Sequence, residues 1–292
     1  MEKENRDTKK AKGGTDVSKA IQDEVISSTL SNIKYKIFVM SGKGGVGKSS
    51  IATNLAAALS LRGKRVGLLD VDIHGPSVPR LLGIKGLLDT NDKNMIEPKK
   101  YSDNLSVVSM ESLLRDPDQA VLWRGPMKTS VIRQFIADVQ WGDLDFLIVD
   151  SPPGTGDEPM TVLRTIPDAL CVVVSTPQEV SLADVRKAIN FLQYARANVL
   201  GIVENMSGLY CPHCHKEIEL FKKGGGRKLA EKYGLDFLGA IPLDPLAVTA
   251  GDLGRPIVMQ EGDSPAKKEL LQLADNVSTA AETSLEIAVG PE

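Results

Sequence analysis

Between an apolar run, Tyr35 to Met40, and an Ala/Leu-rich run, Ile51 to Leu61, lies Ser41-Gly42-Lys43-Gly44-Gly45-Val46-Gly47-Lys48-Ser49-Ser50. Few local patterns restrict a fold so strongly. A phosphate group needs several backbone N–H donors converging on it, and glycines let the chain wrap that closely at positive φ. The pattern G-x-x-x-x-G-K-S has this meaning when a strand precedes it and a helix follows, and both flanks qualify here. The helix that opens near Lys48 adds the partial positive charge of its N-terminus. Lys48 is placed to reach the β- and γ-phosphates of ATP, and the Ser49 hydroxyl to ligate Mg²⁺. Gly42, Gly44, Gly45, Val46, Gly47 and Ser50 complete the cradle. Lys43, a second lysine inside the loop, has no role in this account.

The rest of the chain alternates strands and helices. Strands are expected at Tyr35–Met40, Arg65–Leu69, Leu105–Met110, Leu144–Val149, Ala169–Ser175, Val199–Glu204 and Phe237–Ile241. Helices are expected at Lys48–Leu61, Met127–Val139, Asp157–Ile166, Ser181–Ala195, Gly226–Tyr233 and Ser264–Glu282, with a weak one between Val17 and Ile33. Leu87 to Tyr101 reads as polar and turn-rich. Strands such as Phe146–Val149 and Leu170–Val174 are continuous apolar runs, as in parallel strands covered on both faces. The expected fold is α/β: a doubly wound, mostly parallel sheet with helices on both faces. Residues 1–17 read as a disordered polar tail, and 18–292 as one P-loop domain with a cysteine loop at 210–222. There is no internal repeat.

In such sheets ligands sit where strands end. The second strand runs into Asp70-Val71-Asp72, and Leu144–Val149 into Asp150-Ser151-Pro152-Pro153-Gly154-Thr155-Gly156-Asp157. Asp150 matches the Walker-B position that holds Mg²⁺, and the glycines after it suit a switch loop. Asp72 is a candidate for positioning the attacking water. The competing reading for either aspartate is a helix N-cap. Val199–Glu204 ends at Asn205, whose amide suits the edge of adenine but equally suits a turn. Phe237–Ile241 ends at Pro242, a further candidate for the nucleotide site.

Cys211-Pro212-His213-Cys214-His215 offers two thiolates, whereas zinc or a [4Fe–4S] cluster takes four ligands. The remaining cysteine, Cys171, lies in an apolar strand and reads as a small buried hydrophobe. Three readings stay open. Two chains could each give Cys211 and Cys214 to one cluster, His213 or His215 could complete a zinc site, or the pair could be a redox dithiol.

The net charge of -3 gives no hint of nucleic acid, and no apolar run approaches the length of a membrane span. The polar N-terminus lacks the apolar core of a secretion signal. Three cysteines make no disulfide framework, so a reducing, cytoplasmic setting is expected.

Taken together, these residues resemble the Mrp/ApbC family of iron–sulfur carrier ATPases, in the deviant-Walker-A class with MinD, ParA and nitrogenase iron protein. The likeness covers about Lys36 to Ile257. The motifs carrying it are Met40–Ser49, Asp70–Ser77, Leu122-Trp123-Arg124-Gly125-Pro126-Met127, Asp150–Asp157, Glu204-Asn205-Met206-Ser207, Cys211–Cys214 and Ile241–Pro245. The resemblance implies a homodimeric ATPase that delivers a labile [4Fe–4S] cluster to apoproteins, with no nucleic-acid or membrane partner. It makes Lys43 the lysine that reaches the partner's nucleotide, Asp72 the water-orienting switch residue and Asp150 the Walker-B aspartate. Asn205 becomes the adenine contact, and Cys211 with Cys214 the cluster ligands. The chain departs from some relatives in lacking an N-terminal four-cysteine cluster and a small extra N-terminal domain. His215 stands where many members have glycine. The rivals are a positioning switch of MinD or ParA type and a zinc-stabilised dimeric ATPase. The former needs a basic amphipathic C-terminal helix or a basic surface, and Ser278–Glu292 is acidic and rich in small residues.

Overall fold

The computed structural model describes residues 20–72, 75–92, 95–113, 125–211, 213–214, 216–218 and 220–289. The tail expected over 1–17, Leu122–Arg124 and His215 lie outside the described residues. Residues 20–31 form α1. The chain continues through β1 (Ile33–Ser41), α2 (Lys48–Leu61), β2 (Val66–Asp70), α3 (Val78–Leu82), β3 (Asp89–Thr90), β4 (Ile96–Glu97), β5 (Lys99–Ser102) and β6 (Leu105–Ser109). Next come α4 (Gly125–Asp138), β7 (Leu144–Asp150), α5 (Asp157–Thr165), β8 (Leu170–Ser175), α6 (Glu179–Tyr194) and β9 (Asn198–Tyr210). The last elements are β10 (Glu217–Ile218), α7 (Gly225–Tyr233), β11 (Phe237–Leu243), α8 (Pro245–Asp252) and α9 (Pro265–Val289).

Among the described residues one sheet runs in the order β10-β9-β8-β1-β7-β2-β6-β5, with β11 also pairing β9. Its centre is parallel, and only β5 and β10 run antiparallel. Period-2 alternation divides each strand between two cores. Ile37, Val39, Phe146, Ile148, Val172 and Val174 face the core beneath α2 and α9. Phe38, Met40, Leu147, Val149, Cys171 and Val173 face the core beneath α4, α5 and α6. This two-sided burial is why the strands read as unbroken apolar runs. Each fully buried Leu, Ile or Phe contributes about 1.5–3 kcal/mol relative to exposure.

α2 is Ala/Leu-rich because it is enclosed, with Ala52, Leu55, Ala56, Ala57 and Ala58 fully buried. It stops at Arg62-Gly63, where Gly63 takes a φ of 77°. α9 lays Leu270, Leu273, Ala274, Val277 and Ala281 into the same core. Its apolar face is therefore spent on the protein itself. Among the described residues no helix is long and apolar enough to cross a membrane.

The structure differs from the sequence-based expectation at three places. The strand expected to stop at Glu204 continues to Tyr210, because β11 and β10 pair with its extension. The polar stretch from Leu87 holds the β3–β4 hairpin and the start of β5. The short helices α3 and α8 carry proline in their first turn, and the side chain of Asp244 caps α8 by accepting from Leu246 N at 2.9 Å.

Candidate functional site

The phosphate loop joins β1 to α2, so its position is set by the centre of the sheet. Gly47 has a φ of 81°, and a Cβ there would collide with the amide nitrogen of Asn205. A Cβ at Gly42 would strike the backbone carbonyl of Asp184 on α6. The loop is thus packed against its neighbours from both sides, and glycine is required at these two positions for lack of space. Ser41 Oγ donates to the Lys43 carbonyl at 2.8 Å, and Gly154 N donates to the Ser41 carbonyl at 2.9 Å. The second bond ties the Asp150–Asp157 loop to the phosphate loop.

Asp70 and Asp150 are register partners on β2 and β7, so their carboxylates lie side by side at the ends of adjacent strands. Both are fully buried. Asp150 is not a helix cap, since α5 begins only at Asp157 and is preceded by Gly156. Instead its Oδ1 accepts from Lys48 Nζ at 2.6 Å, and Lys48 Nζ lies 3.2 Å from Ser49 Oγ. Burial pushes the Asp150 carboxyl above its ordinary range, against the pull of Lys48 and Ser49. Asp150 Oδ2 is buried with no hydrogen-bond partner. A hard, oxygen-seeking cation fits this pair of oxygens, Asp150 Oδ2 and Ser49 Oγ.

Asp70 was legible as a strand-end aspartate but had no assigned part. Its Oδ1 accepts from Asp72 N at 3.1 Å and its Oδ2 from Ser109 Oγ at 3.0 Å. Burial first, then the neighbouring charge of Asp150, holds its carboxyl well above the usual range. Asp72 is buried too, and its Oδ1 accepts from Gly75 N at 3.2 Å. The charges of Asp150 and Asp72 act on the Asp70 carboxyl, and that of Asp72 acts on Asp150.

The raised pKa of the Asp70 carboxyl means the folded state binds more protons than the unfolded one above the ordinary value of 3.8. Stability is therefore lost as pH rises through the raised range. Asp70→Asn removes that penalty, and the Ser109 hydroxyl can turn to accept from the new amide. The variant is expected to match or exceed the wild type in melting temperature. Its advantage should widen with rising pH and then level off; thermal melts of nucleotide-free protein from about pH 5 to 8 check this.

Beside the loop opens a cavity of about 1140 Å³, bordered by Gly47, Ser50, Asn205, Pro242 and Asp244. It is large enough for a nucleoside. Asn205 is buried and donates through Nδ2 to the Val46 carbonyl at 2.9 Å. Asp244 Oδ2, at the cavity wall, is buried without a partner and can accept from an amine or hydroxyl of a ligand. Sequence reading missed Asp244 as a site residue, although Asp followed by Pro marks a cap at a strand end. Lys43 is half-buried, and among the described residues no hydrogen bond or ion pair engages its ammonium group.

The cysteine pair lies beyond the carboxyl end of β9. Cys211 N donates to the Lys216 carbonyl at 2.9 Å, closing a tight loop whose end folds back as β10. Both cysteines are free, Cys211 half-exposed and Cys214 exposed. The N–H groups of Cys214 and then His213 point at Cys211 and lower its thiol pKa. Cys171 stays apart in β8, its thiol pushed up to about 12 by burial. Among the described residues no group of three or more His, Cys, Asp or Glu could hold a metal ion.

The family described as NUBPL iron-transfer P-loop NTPase matches residues 32–278. A Saccharolobus solfataricus protein named iron-sulfur cluster carrier protein is 46% identical over 263 residues, covering 90% of this chain and 89% of its own length. The Bos taurus cytosolic Fe-S cluster assembly factor NUBP2 is 45% identical over 253 residues, covering 85% of this chain and 93% of its own. Among solved structures, the nucleotide-binding protein in complex with ADP from Archaeoglobus fulgidus superposes with a TM-score of 0.71 at 42% identity, covering 80% of this chain and 91% of that one. The Pyrococcus furiosus cell division ATPase MinD shares the fold, with a TM-score of 0.61 at 23% identity and coverage of 84% and 98%. A phosphate loop set against paired aspartates, with a free cysteine pair at a neighbouring strand end, thus meets close relatives along most of its length: the chain belongs to the family of NUBPL-type iron-transfer P-loop NTPases, the iron–sulfur cluster carriers.

Proposed function

We propose that this chain is a homodimeric, Mg²⁺-dependent ATPase that holds a transferable [4Fe–4S] cluster between two subunits and delivers it to apoproteins in the cytoplasm. The observation that carries this reading is the cysteine pair. Cys211 and Cys214 are accessible and unbridged, whereas Cys171 is enclosed in the sheet. One chain thus offers two thiolates, and a second copy related by two-fold symmetry supplies the other two. The names of the relatives support iron–sulfur cargo, and the ADP of the Archaeoglobus fulgidus protein supports the nucleotide.

The residues divide the work as follows. The loop amides from Gly42 to Ser50 bind the phosphates, while Asn205 and Pro242 bound the base. Lys48 exchanges its Asp150 partner for the β- and γ-phosphates when ATP enters. Ser49 and Asp150 would hold Mg²⁺, which supplies charge neutralisation on the phosphates when bound. Asp72 orients a water whose oxygen bonds to the γ-phosphorus as the bond to ADP breaks. Lys43 of the partner subunit stabilises the charge that builds on the transferring group.

Anaerobic reconstitution tests the cargo. The wild type is expected to bind about four irons per dimer. Cys211→Ala should abolish this, with nucleotide binding retained. Unchanged iron in the variant, or zinc in place of iron in anaerobically purified protein, would overturn the cluster assignment.

A further inference from the structure

Glu204, like Asp70, is a fully buried carboxylate with no part in the chemistry above. Among the described residues no ion pair engages it. Its Oε1 accepts from Ser207 Oγ at 2.6 Å and Gly224 N at 3.0 Å, and its Oε2 from Gly226 N at 2.6 Å. Gly224 and Gly226 flank the first residue of α7, where the returning limb of the cysteine loop ends. A buried carboxylate persists only where donors replace its water, and these amides with the positive end of α7 do so. The chain between Glu204 and Gly224 contains both Cys211 and Cys214. Glu204 therefore closes that whole segment at its base.

The next residue, Asn205, belongs to the other site. Successive strand side chains point to opposite faces. Asn205 thus reaches the phosphate loop at Val46 and Gly47 and borders the nucleotide cavity. Just beyond, Met206 takes a φ of 57° and Gly208 a φ of 80°. A left-handed methionine inside a strand is strained and is held there by its surroundings. Two adjacent residues of β9 hold the two sites, one each, next to a strained turn of the backbone.

We propose that Glu204 is a positioning residue that couples nucleotide occupancy to the cysteine pair. A nucleotide base entering the cavity re-seats Asn205, β9 shifts at Glu204–Met206, and the carboxylate carries that shift into the limb that ends at Gly224. The purpose of this coupling rests on the carrier function proposed above, but its measurement does not need iron.

The test uses the full-length, iron-free, reduced protein and the alkylation rate of its accessible thiols by iodoacetamide. Cys171 is buried and stays silent, so the rate reports Cys211 and Cys214. In the wild type, MgADP or a non-hydrolysable MgATP analogue should change this rate about fivefold or more, the usual scale of coupling between sites. In Glu204→Gln, whose amide keeps one acceptor oxygen where the carboxylate has two, that ratio should fall close to one while calorimetry still records nucleotide binding. A carboxylate that merely caps α7 gives another result: the rate changes equally with and without nucleotide, and the ratio survives. A surviving ratio, or no nucleotide effect in the wild type, overturns the proposal. Should Glu204→Gln fail to fold, Ser207→Ala removes one bond to Oε1 and should at least halve the ratio; an unchanged ratio there is equally fatal. Iron reconstitution of the same preparations separates the two ideas. Iron bound without thiol coupling sinks only the clamp, and coupling without iron sinks only the carrier.

Discussion

Replacing Lys48 by alanine is expected to destabilise the nucleotide-free protein by about 3–5 kcal/mol, besides abolishing its chemistry. The reason lies in the geometry of the site. Lys48 and Asp150 form a 2.6 Å ion pair in which the lysine side chain is 6% exposed and the aspartate 0%. Removing the cation leaves a carboxylate in the sheet with no counter-charge and with Asp70 alongside it. The second consequence distinguishes this account from simple loss of packing. Adding Asp150→Asn to Lys48→Ala removes the stranded charge, so the double variant should recover all but about 1–2 kcal/mol. Recovery of stability must not bring recovery of turnover. In the proposed mechanism Lys48 stabilises charge on the phosphates, so a loss of about 10²–10³-fold or more in rate should persist in the double variant. Urea denaturation of the wild type, Lys48→Ala, Asp150→Asn and the double variant, paired with phosphate release, gives the full cycle. A Lys48→Ala protein as stable as the wild type would show that the pair contributes nothing to holding the apo site together.

The same pair shows what was legible beforehand and what was not. Lys48 and Asp150 were each readable as motif residues, because a glycine loop between strand and helix and an apolar strand ending in Asp are local patterns. Their contact was not readable, since it depends on β1 and β7 being neighbours in the sheet. Sequence order says nothing of that neighbourhood. Asp70 shows the same limit, for its burial against Asp150 arises from the β2–β7 register. The parallel core strands and α2 were plain because two-sided burial writes itself as unbroken apolar sequence. β9 was cut short because Asn205-Met206-Ser207-Gly208 has the composition of a turn. Two partner strands carry the ladder past it, with Met206 and Gly208 absorbing the irregularity at positive φ. The contacts of Glu204 left little local signal, because two of its three donors lie twenty and twenty-two residues further on and only Ser207 is near in sequence.

Lys43→Ala is expected to bind ATP within a few-fold of the wild type and to lose about 10³–10⁵-fold in hydrolysis, the scale of a charge supplied from a neighbouring subunit. In the single chain the Lys43 ammonium engages no described partner, while Lys48 already occupies the place beside Asp150. A second phosphate-seeking cation in one loop makes sense when it serves the opposite site. Mixing subunits decides whether it does. Lys43→Ala protein, inactive for want of the lysine, is combined with Asp72→Ala protein, inactive in its own site but with Lys43 intact. If the lysine acts across the interface, each mixed dimer contains one complete site. That site has Asp72 from the first subunit and Lys43 from the second. Random exchange makes half the dimers mixed, with one of two sites working, so about a quarter of the wild-type rate should return. If Lys43 serves its own nucleotide, every site in the mixture lacks one residue and no activity returns. A dead mixture, with mixed dimers verified by differential tagging, would place Lys43 in its own subunit's site and remove one of the two reasons for a shared active centre.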